Sequence, residues 1–235
     1  MFPSLLGQNR RAPQLHAERV FLRVPVMDDY PAWRALREES RDFLTPWEPS
    51  WPLDGLTKAA FRRRLRYYAL DRRQGVGLVF FIFRQQDKAL LGSISLSHLR
   101  RGVCQTADLG YWIGERHANR GYGGEALAAV LAYSFTQLGL NRLEAATLPE
   151  NGPSQRLLRK FEFIEEGFAR KYLKINGKWA DHVLYGLVQE DYLAARAATK
   201  AAVNPRAAPD GKAPTGAPAG PGRRSLGVAR GGAEA

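Results

Sequence analysis

The chain has 235 residues, 45% hydrophobic and 25% charged, with one cysteine and a formal net charge of +12 at pH 7. A single cysteine excludes an internal disulfide and a cysteine-rich zinc site, and no apolar run reaches the roughly 18–20 residues that a membrane span needs. The basic balance favours an anionic partner (nucleic acid, a ribosome or a polyphosphate cofactor) without choosing among them.

Residues 198–235 hold 11 Ala, 7 Gly and 5 Pro among 38 positions, and no aromatic residue. Such a stretch cannot bury enough apolar surface to offset its ordering entropy. Composition therefore predicts a flexible N-terminus over 1–14, one folded domain over 15–197 and a disordered basic tail over 198–235. The tail's six basic and two acidic residues leave +8 on the rest. The opening MFPSLLGQNRRAPQLH lacks the basic-apolar-small order of a secretory signal, so the expected location is the cytoplasm.

In chain order, residues 18–25 alternate and then meet Pro25, as a first strand should. Asp28 and Asp29, before Pro31, Trp33 and Leu36, read as a helix start. Residues 43–52 carry three prolines and two tryptophans and read as an aromatic loop. Phe61, Leu65 and Tyr68 mark an amphipathic helix over 57–70, with Arg62, Arg63, Arg64 and Arg66 around it. Strands over 77–84, 89–98 and 104–114 follow with short turns, which favours an antiparallel meander; Gly110 suggests a bulge.

A helix over 124–138, ended by Gly139, leads to a strand over 142–148. Asn151-Gly152-Pro153-Ser154 opens another helix. Strands over 163–174 and 178–188 meet at Asn176-Gly177, the strongest hairpin signal in the chain. A short helix over 189–197 closes the domain. The order predicts an α/β chain of the α+β mixed-sheet kind, mostly antiparallel, with one parallel crossover over 104–148.

Arg120-Gly121-Tyr122-Gly123-Gly124 lies between a strand and a helix. Glycines let the backbone turn sharply, and a helix N-terminus offers free N–H groups to an anion. Three readings stand: a turn serving packing alone, a dinucleotide site, and the pyrophosphate loop of an acyl-CoA binder. For the second, Gly121-Tyr-Gly123-Gly-Glu-Ala126 fits G-x-G-x-x-[GA] and Glu144 falls where a ribose-binding acid would. The spacer Glu115–Asn119 and the terminal hairpin weaken that reading; the flanking elements favour the third.

The order of elements, this loop and Asn151-x-x-Ser154 resemble the GCN5-related N-acetyltransferases (GNAT) over residues 15–190. Phe43-Leu44-x-Pro46-Trp47-Glu48-Pro49, Leu109-Gly110-Tyr111-Trp112-Ile113-Gly114 and Glu166-Gly167 through Asn176-Gly177-x-Trp179-x-Asp181-His182-Val183-Leu184 resemble the RimJ/RimL group of ribosomal-protein-alanine N-acetyltransferases, and RimJ most. The family's loop opens with Gln or Arg; that position is Ala118 here, with Arg116 or Arg120 or the amides alone as substitutes. The Leu-Gly-Phe usual after the next helix reads Phe161-Glu162-Phe163. Glu162 in a left-handed turn would cost roughly 1–2 kcal/mol, so a local change of turn is expected.

The resemblance implies an enzyme moving an acetyl group from acetyl-CoA, as co-substrate and without a metal, to the N-terminal amine of a ribosomal protein, in a splayed parallel strand pair. A small-molecule amine is the alternative acceptor, and a non-catalytic acyl-CoA module with RNA affinity a further one. Tyr111, Trp112, Ile113, Arg120, Gly121, Tyr122, Gly123, Gly124, Asn151 and Ser154 would contact the cofactor. Ser154 would protonate the departing thiolate, and Asp108 or Glu48 would act as base. Trp47, Glu48 and Tyr172 would touch the acceptor, with Tyr172 and His182 as weaker base candidates. The implied partners are a ribosomal protein and, weakly, RNA; no membrane is implied, and the state is monomer or dimer.

Overall fold

The computed structural model describes residues 12–203; residues 1–11 and 204–235, most of both predicted flanking segments, lie outside the described residues. Eight strands form one sheet in the order β1-β2-β3-β4-β5-β6-β8-β7. They are β1 Gln14–His16, β2 Val20–Arg23, β3 Leu78–Arg84, β4 Leu90–Arg100, β5 Thr106–Ile113, β6 Arg142–Thr147, β7 Ile164–Ile175 and β8 Lys178–Val188. Every neighbouring pair is antiparallel except β5 and β6, which are parallel. The helices are α1 Tyr30–Glu39, α2 Arg41–Leu44, α3 Lys58–Gln74, α4 Tyr122–Thr136, α5 Gly152–Lys160 and α6 Gln189–Val203.

The unbroken apolar run of β3 reflects burial on both faces. Phe80 and Ile82 join a core with Leu127, Val130, Leu131 and Phe135 of α4. Phe81 and Phe83 join a second core with Trp33 and Leu36 of α1 and Phe61 of α3. The sheet is thus covered by α4 on one side and by α1 and α3 on the other.

Several expectations are corrected. Gly110 carries no bulge: it pairs in register with Ser95, and the irregularity lies between Ser97 and Arg100, where His98 has φ 45°. A second irregularity, between Ile82 and Phe83, leaves Leu91 out of register. It moves Leu91 to the α4 face with Ile94 and Leu96, while Ser93, Ser95 and Ser97 line a cavity on the other face. The aromatic loop contains a short helical stretch, α2, and a 3-10 turn over Thr45–Trp47. The strand β1 was not anticipated; three residues are too few for a periodic signal. The last helix runs past residue 197 to Val203, into the Ala-rich start of the predicted tail, because alanine is the best helix former.

Candidate active site

The site follows from how β5 and β6 part. They pair over three rungs only, Thr106 with Arg142, Ala107 with Leu143 and Asp108 with Glu144. Beyond Asp108, β5 continues to Ile113 beside β4, and β6 to Thr147 beside β8, with no pairing between them. A cleft of about 600 Å³ opens there, walled by Leu109–Ile113, Ala145–Leu148 and the start of α5. Thr147 Oγ1 is buried in this wall without a partner among the described residues.

The glycine loop closes one end of the cleft. Gly121 caps α4 at φ 84°, a left-handed conformation that favours glycine. The first intrahelical bond is from Glu125 N to Gly121 O, so the N–H groups of Tyr122, Gly123 and Gly124 have no helical partner. Gly121, Tyr122, Gly123 and Gly124 all line the cleft. Arg19 braces the loop: it donates to the Arg120 carbonyl at 3.1 Å and pairs with Glu125 at 2.5 Å. Neither candidate substitute for the Ala118 position reaches in. Arg116 pairs with Glu39 at 3.0 Å and donates to His117 Nε2 at 3.1 Å, and Arg120 lies outside the lining. His117 does line the cleft, buried, its pKa lowered first by burial and then by Arg116, Arg84 and Arg120.

Tyr111 and Ser154 meet across the cleft. Alternation puts Tyr111 on the α4 face with Leu109, and its hydroxyl lies 2.8 Å from Ser154 Oγ. Burial pushes the Tyr111 phenol up to about 12 against the lowering effect of this bond. Asn151 Oδ1 accepts from Ser154 N at 3.2 Å, an N-cap that fixes the first turn of α5 and aims the serine.

A second cavity of about 700 Å³ lies on the α1–α3 face. It shares Glu48, Gly110, Tyr111 and Trp112 with the cleft, so these residues form the wall between the two. Glu48 is held by Arg37 through two bonds at 2.7 and 2.6 Å and accepts from Trp51 Nε1 at 2.9 Å. Its backbone carbonyl accepts from Asn176 N at 2.8 Å, tying the aromatic loop to the tip of the β7–β8 hairpin.

The structure brings together Trp47, Glu48, Tyr111, Trp112, Ile113, the loop residues Gly121 to Gly124, Asn151, Ser154 and His182 around the cleft, and leaves Arg120 outside its lining. It does not bring in Asp108 or Tyr172. Asp108 sits on the last paired rung outside both linings, 2.8 Å from His98 Nδ1 and 3.8 Å from Arg100. Tyr172 is exposed and packs edge-on against His182 at 5.8 Å between ring centres. The dinucleotide reading fails: the sheet is not doubly wound, and Glu144 is bonded to Arg100 and Arg142. Among the described residues, no group of three or more His, Cys, Asp or Glu could hold a metal ion. Also among them, no helix is long and apolar enough to cross a membrane.

Sequence reasoning missed the Arg37 clamp, the Tyr111 hydroxyl and Thr147. Strand alternation, with Leu109 and Ile113 apolar on either side, was a usable signal for Tyr111. Nothing in the sequence around Arg37 marks it among 35 basic residues.

Comparison with known proteins places these features in context. The acetyltransferase (GNAT) domain family matches residues 19–164. The probable N-acetyltransferase YjcK of Bacillus subtilis is 34% identical over 177 residues, covering 75% of this chain and 98% of the relative. The [ribosomal protein uS5]-alanine N-acetyltransferase of Escherichia coli is 31% identical over 194 residues, covering 82% and 100%. Among solved structures, Mycobacterium smegmatis RimJ in complex with CoA-disulfide superposes with a TM-score of 0.71 at 28% identity, covering 79% of this chain and 95% of that one.

Proposed function

This chain belongs to the GNAT acetyltransferase family, and we propose that it moves an acetyl group from acetyl-CoA to the N-terminal α-amine of a ribosomal protein that begins with alanine. The observation that carries the chemistry is the Tyr111–Ser154 pair at 2.8 Å in the gap between β5 and β6. The acceptor class rests on the relationship to the uS5-alanine enzyme, which aligns over its whole length.

The residues present suit acetyl-CoA. The three free amides at the start of α4 and the helix dipole fit a pyrophosphate. The unpaired edges of β5 and β6, with the orphaned hydroxyl of Thr147, fit the amides of a pantetheine arm. Ser154 and the shared wall of the two cavities would then lie beside the thioester. Backbone groups of Tyr111 to Ile113 would be at hand for its carbonyl, where an oxyanion needs donors.

The amine enters as an ammonium. An α-amine has a pKa of about 8, so roughly a tenth is free at neutral pH and no strong base is required. Arg37 and Trp51 occupy three acceptor sites of Glu48, and a carboxylate offers about four. The remaining one orients the ammonium at the junction of the cavities. Once a proton has left, the nitrogen lone pair attacks the thioester carbon, the carbon–sulfur bond breaks, and the nitrogen loses a second proton as the amide forms. Ser154 gives its hydroxyl proton to the leaving sulfur and takes one from Tyr111, and the proton that the nitrogen loses as the amide forms returns to Tyr111, whose raised pKa favours its protonated state. One proton is released per turnover. Asp108, spent on His98 and Arg100, takes no part. A ribosomal acceptor places the reaction in the cytoplasm.

The test is mass spectrometry of the full chain with acetyl-CoA and two competing peptides, one with a free N-terminal alanine and one N-blocked with a single lysine. Enzyme-dependent acetylation of the alanine peptide alone is expected. Acetylation of neither, with acetyl-CoA binding intact by thermal shift, would move the acceptor to a small amine or the protein to a non-catalytic role.

A further inference from the structure

The α1–α3 cavity runs from the shared wall at Trp112 along β4 towards α3, and its far end has a distinct chemistry. Ser93 donates to the Phe80 carbonyl at 2.9 Å, Ser95 to the Gly110 carbonyl at 3.3 Å and Ser97 towards the Asp108 carbonyl at 3.5 Å. Each hydroxyl has given away its proton, so the serine row along the wall presents lone pairs. On α3, Arg64 and Asp71 face the same space. Arg64 is exposed and turned to the aromatic side chains of this space, 5.5 Å from the Trp33 ring centre and 3.4 Å from the Tyr68 hydroxyl. Arg37 is ion-paired with Glu48. Asp71 is half-buried, and its carboxylate has no hydrogen-bond or ion-pair partner among the described residues.

A part-exposed carboxylate that no described protein group engages, beside hydroxyls that present lone pairs, takes its donors from water or from a bound molecule. We infer that Asp71 reads a cationic side chain, lysine or arginine, near the start of the acceptor chain. This rests on the peptide-acceptor reading and extends it to a sequence preference. The position follows from strand geometry. A Cβ on Gly77 would lie 3.5 Å both from Asp71 Oδ2 and from the Leu96 carbonyl, so the carboxylate sits at the level of Leu96. Leu96 is three residues along β4 from Ser93, which pairs with Trp112 at the shared wall. Three residues of strand span about 10 Å, which an extended peptide covers in about three residues. The second or third acceptor residue therefore reaches Asp71.

The experiment measures kcat/KM of the full chain for alanine-starting peptides with Lys, Ala or Glu at position 2, 3 or 4, under saturating acetyl-CoA. Lys is expected to exceed Glu by about tenfold at position 2 or 3, the size of one charge-assisted hydrogen bond, and not at position 4. In Asp71→Asn the ratio should fall to about twofold, and in Asp71→Glu it should persist. Unchanged acetyl-CoA thermal shifts would show that both variants are folded. Peptides acetylated without a Lys preference, with a Glu preference, or with a preference that survives Asp71→Asn would overturn the inference alone. Failure of every peptide would overturn the peptide-acceptor reading, and the inference with it.

Discussion

Arg37 and Glu48 meet fork to fork at 2.7 and 2.6 Å, and the same guanidinium lies 4.0 Å from the Trp51 ring centre and 4.9 Å from that of Trp112. The side chains are 11% and 19% exposed, so solvent screens the pair only weakly. An ammonium cannot reproduce a planar fork stacked between indoles. Arg37→Lys should lower stability by about 2 kcal/mol and Arg37→Ala by about 3 kcal/mol, read as a shift of the urea midpoint at constant slope. Wild-type midpoints in both variants would show that the pair is incidental.

The hydroxyl pair in the cleft should act as a unit. Ser154→Ala should lower kcat about 30-fold and Tyr111→Phe about tenfold, with KM for acetyl-CoA within about twofold. The double variant should lose less than the product of the two, because each single change already breaks the relay. Multiplicative losses in steady-state kinetics would argue for two independent roles.

Tyr111 also carries a stability signature at high pH. Its folded pKa is about 12 against an ordinary 10.0, because burial disfavours the phenolate. Between those values the unfolded chain has released this proton and the folded chain has not, so stability falls as pH rises from 10 towards 12. The contribution is about 2 kcal/mol. The difference in melting temperature between wild type and Tyr111→Phe should therefore change over pH 10 to 12 in the variant's favour. A constant difference would refute the assignment.

Gly123 tests the anion-binding loop. A Cβ there would make only ordinary contact, 3.5 Å from Ile113, so the protein itself does not demand glycine. A carboxylate near a helix N-terminus is favourable to the fold and repels a pyrophosphate. Gly123→Glu should keep its thermal midpoint and lose the upward shift with acetyl-CoA. An undiminished shift would mean that the phosphates bind elsewhere.

Glu162 keeps the turn it was expected to abandon. It stands at φ 62° and completes a Schellman motif, with Phe163 N bonded to the Leu158 carbonyl at 3.1 Å and Glu162 N to the Arg159 carbonyl at 3.1 Å. Burial of Leu158 and Phe163 in the main core holds the strained residue in place. Glu162→Gly should raise stability by about 1 kcal/mol, seen as a higher chemical-denaturation midpoint with unchanged activity.

Features written by local rules were legible in the sequence. The hairpin at Asn176-Gly177, the Gly121 turn and the Asn151 cap follow from backbone preference, and the parallel crossover from element order. Features that depend on two distant segments were not. The sequence offers Glu48 as a base or acceptor contact with no sign of its partner Arg37, which belongs to the distant α1, and offers Asp108 as a base with no sign of His98, which stands at an irregularity in β4. The face of Leu91 is illegible for a related reason: one residue out of register inverts a strand pattern.

The three rungs between β5 and β6 are as short a join as any in the sheet, equalled by that of β1 with β2 at its edge. On either side lie continuous antiparallel blocks, β1 to β5 and β6 to β8. A molecule seated in the cleft would lend its own amides as extra rungs and lengthen that join. It would thus serve as a mechanical splice between two blocks that otherwise share one short seam, and amide hydrogen exchange at Ala107 and Leu143, residues far from any reacting atom, would slow when it binds.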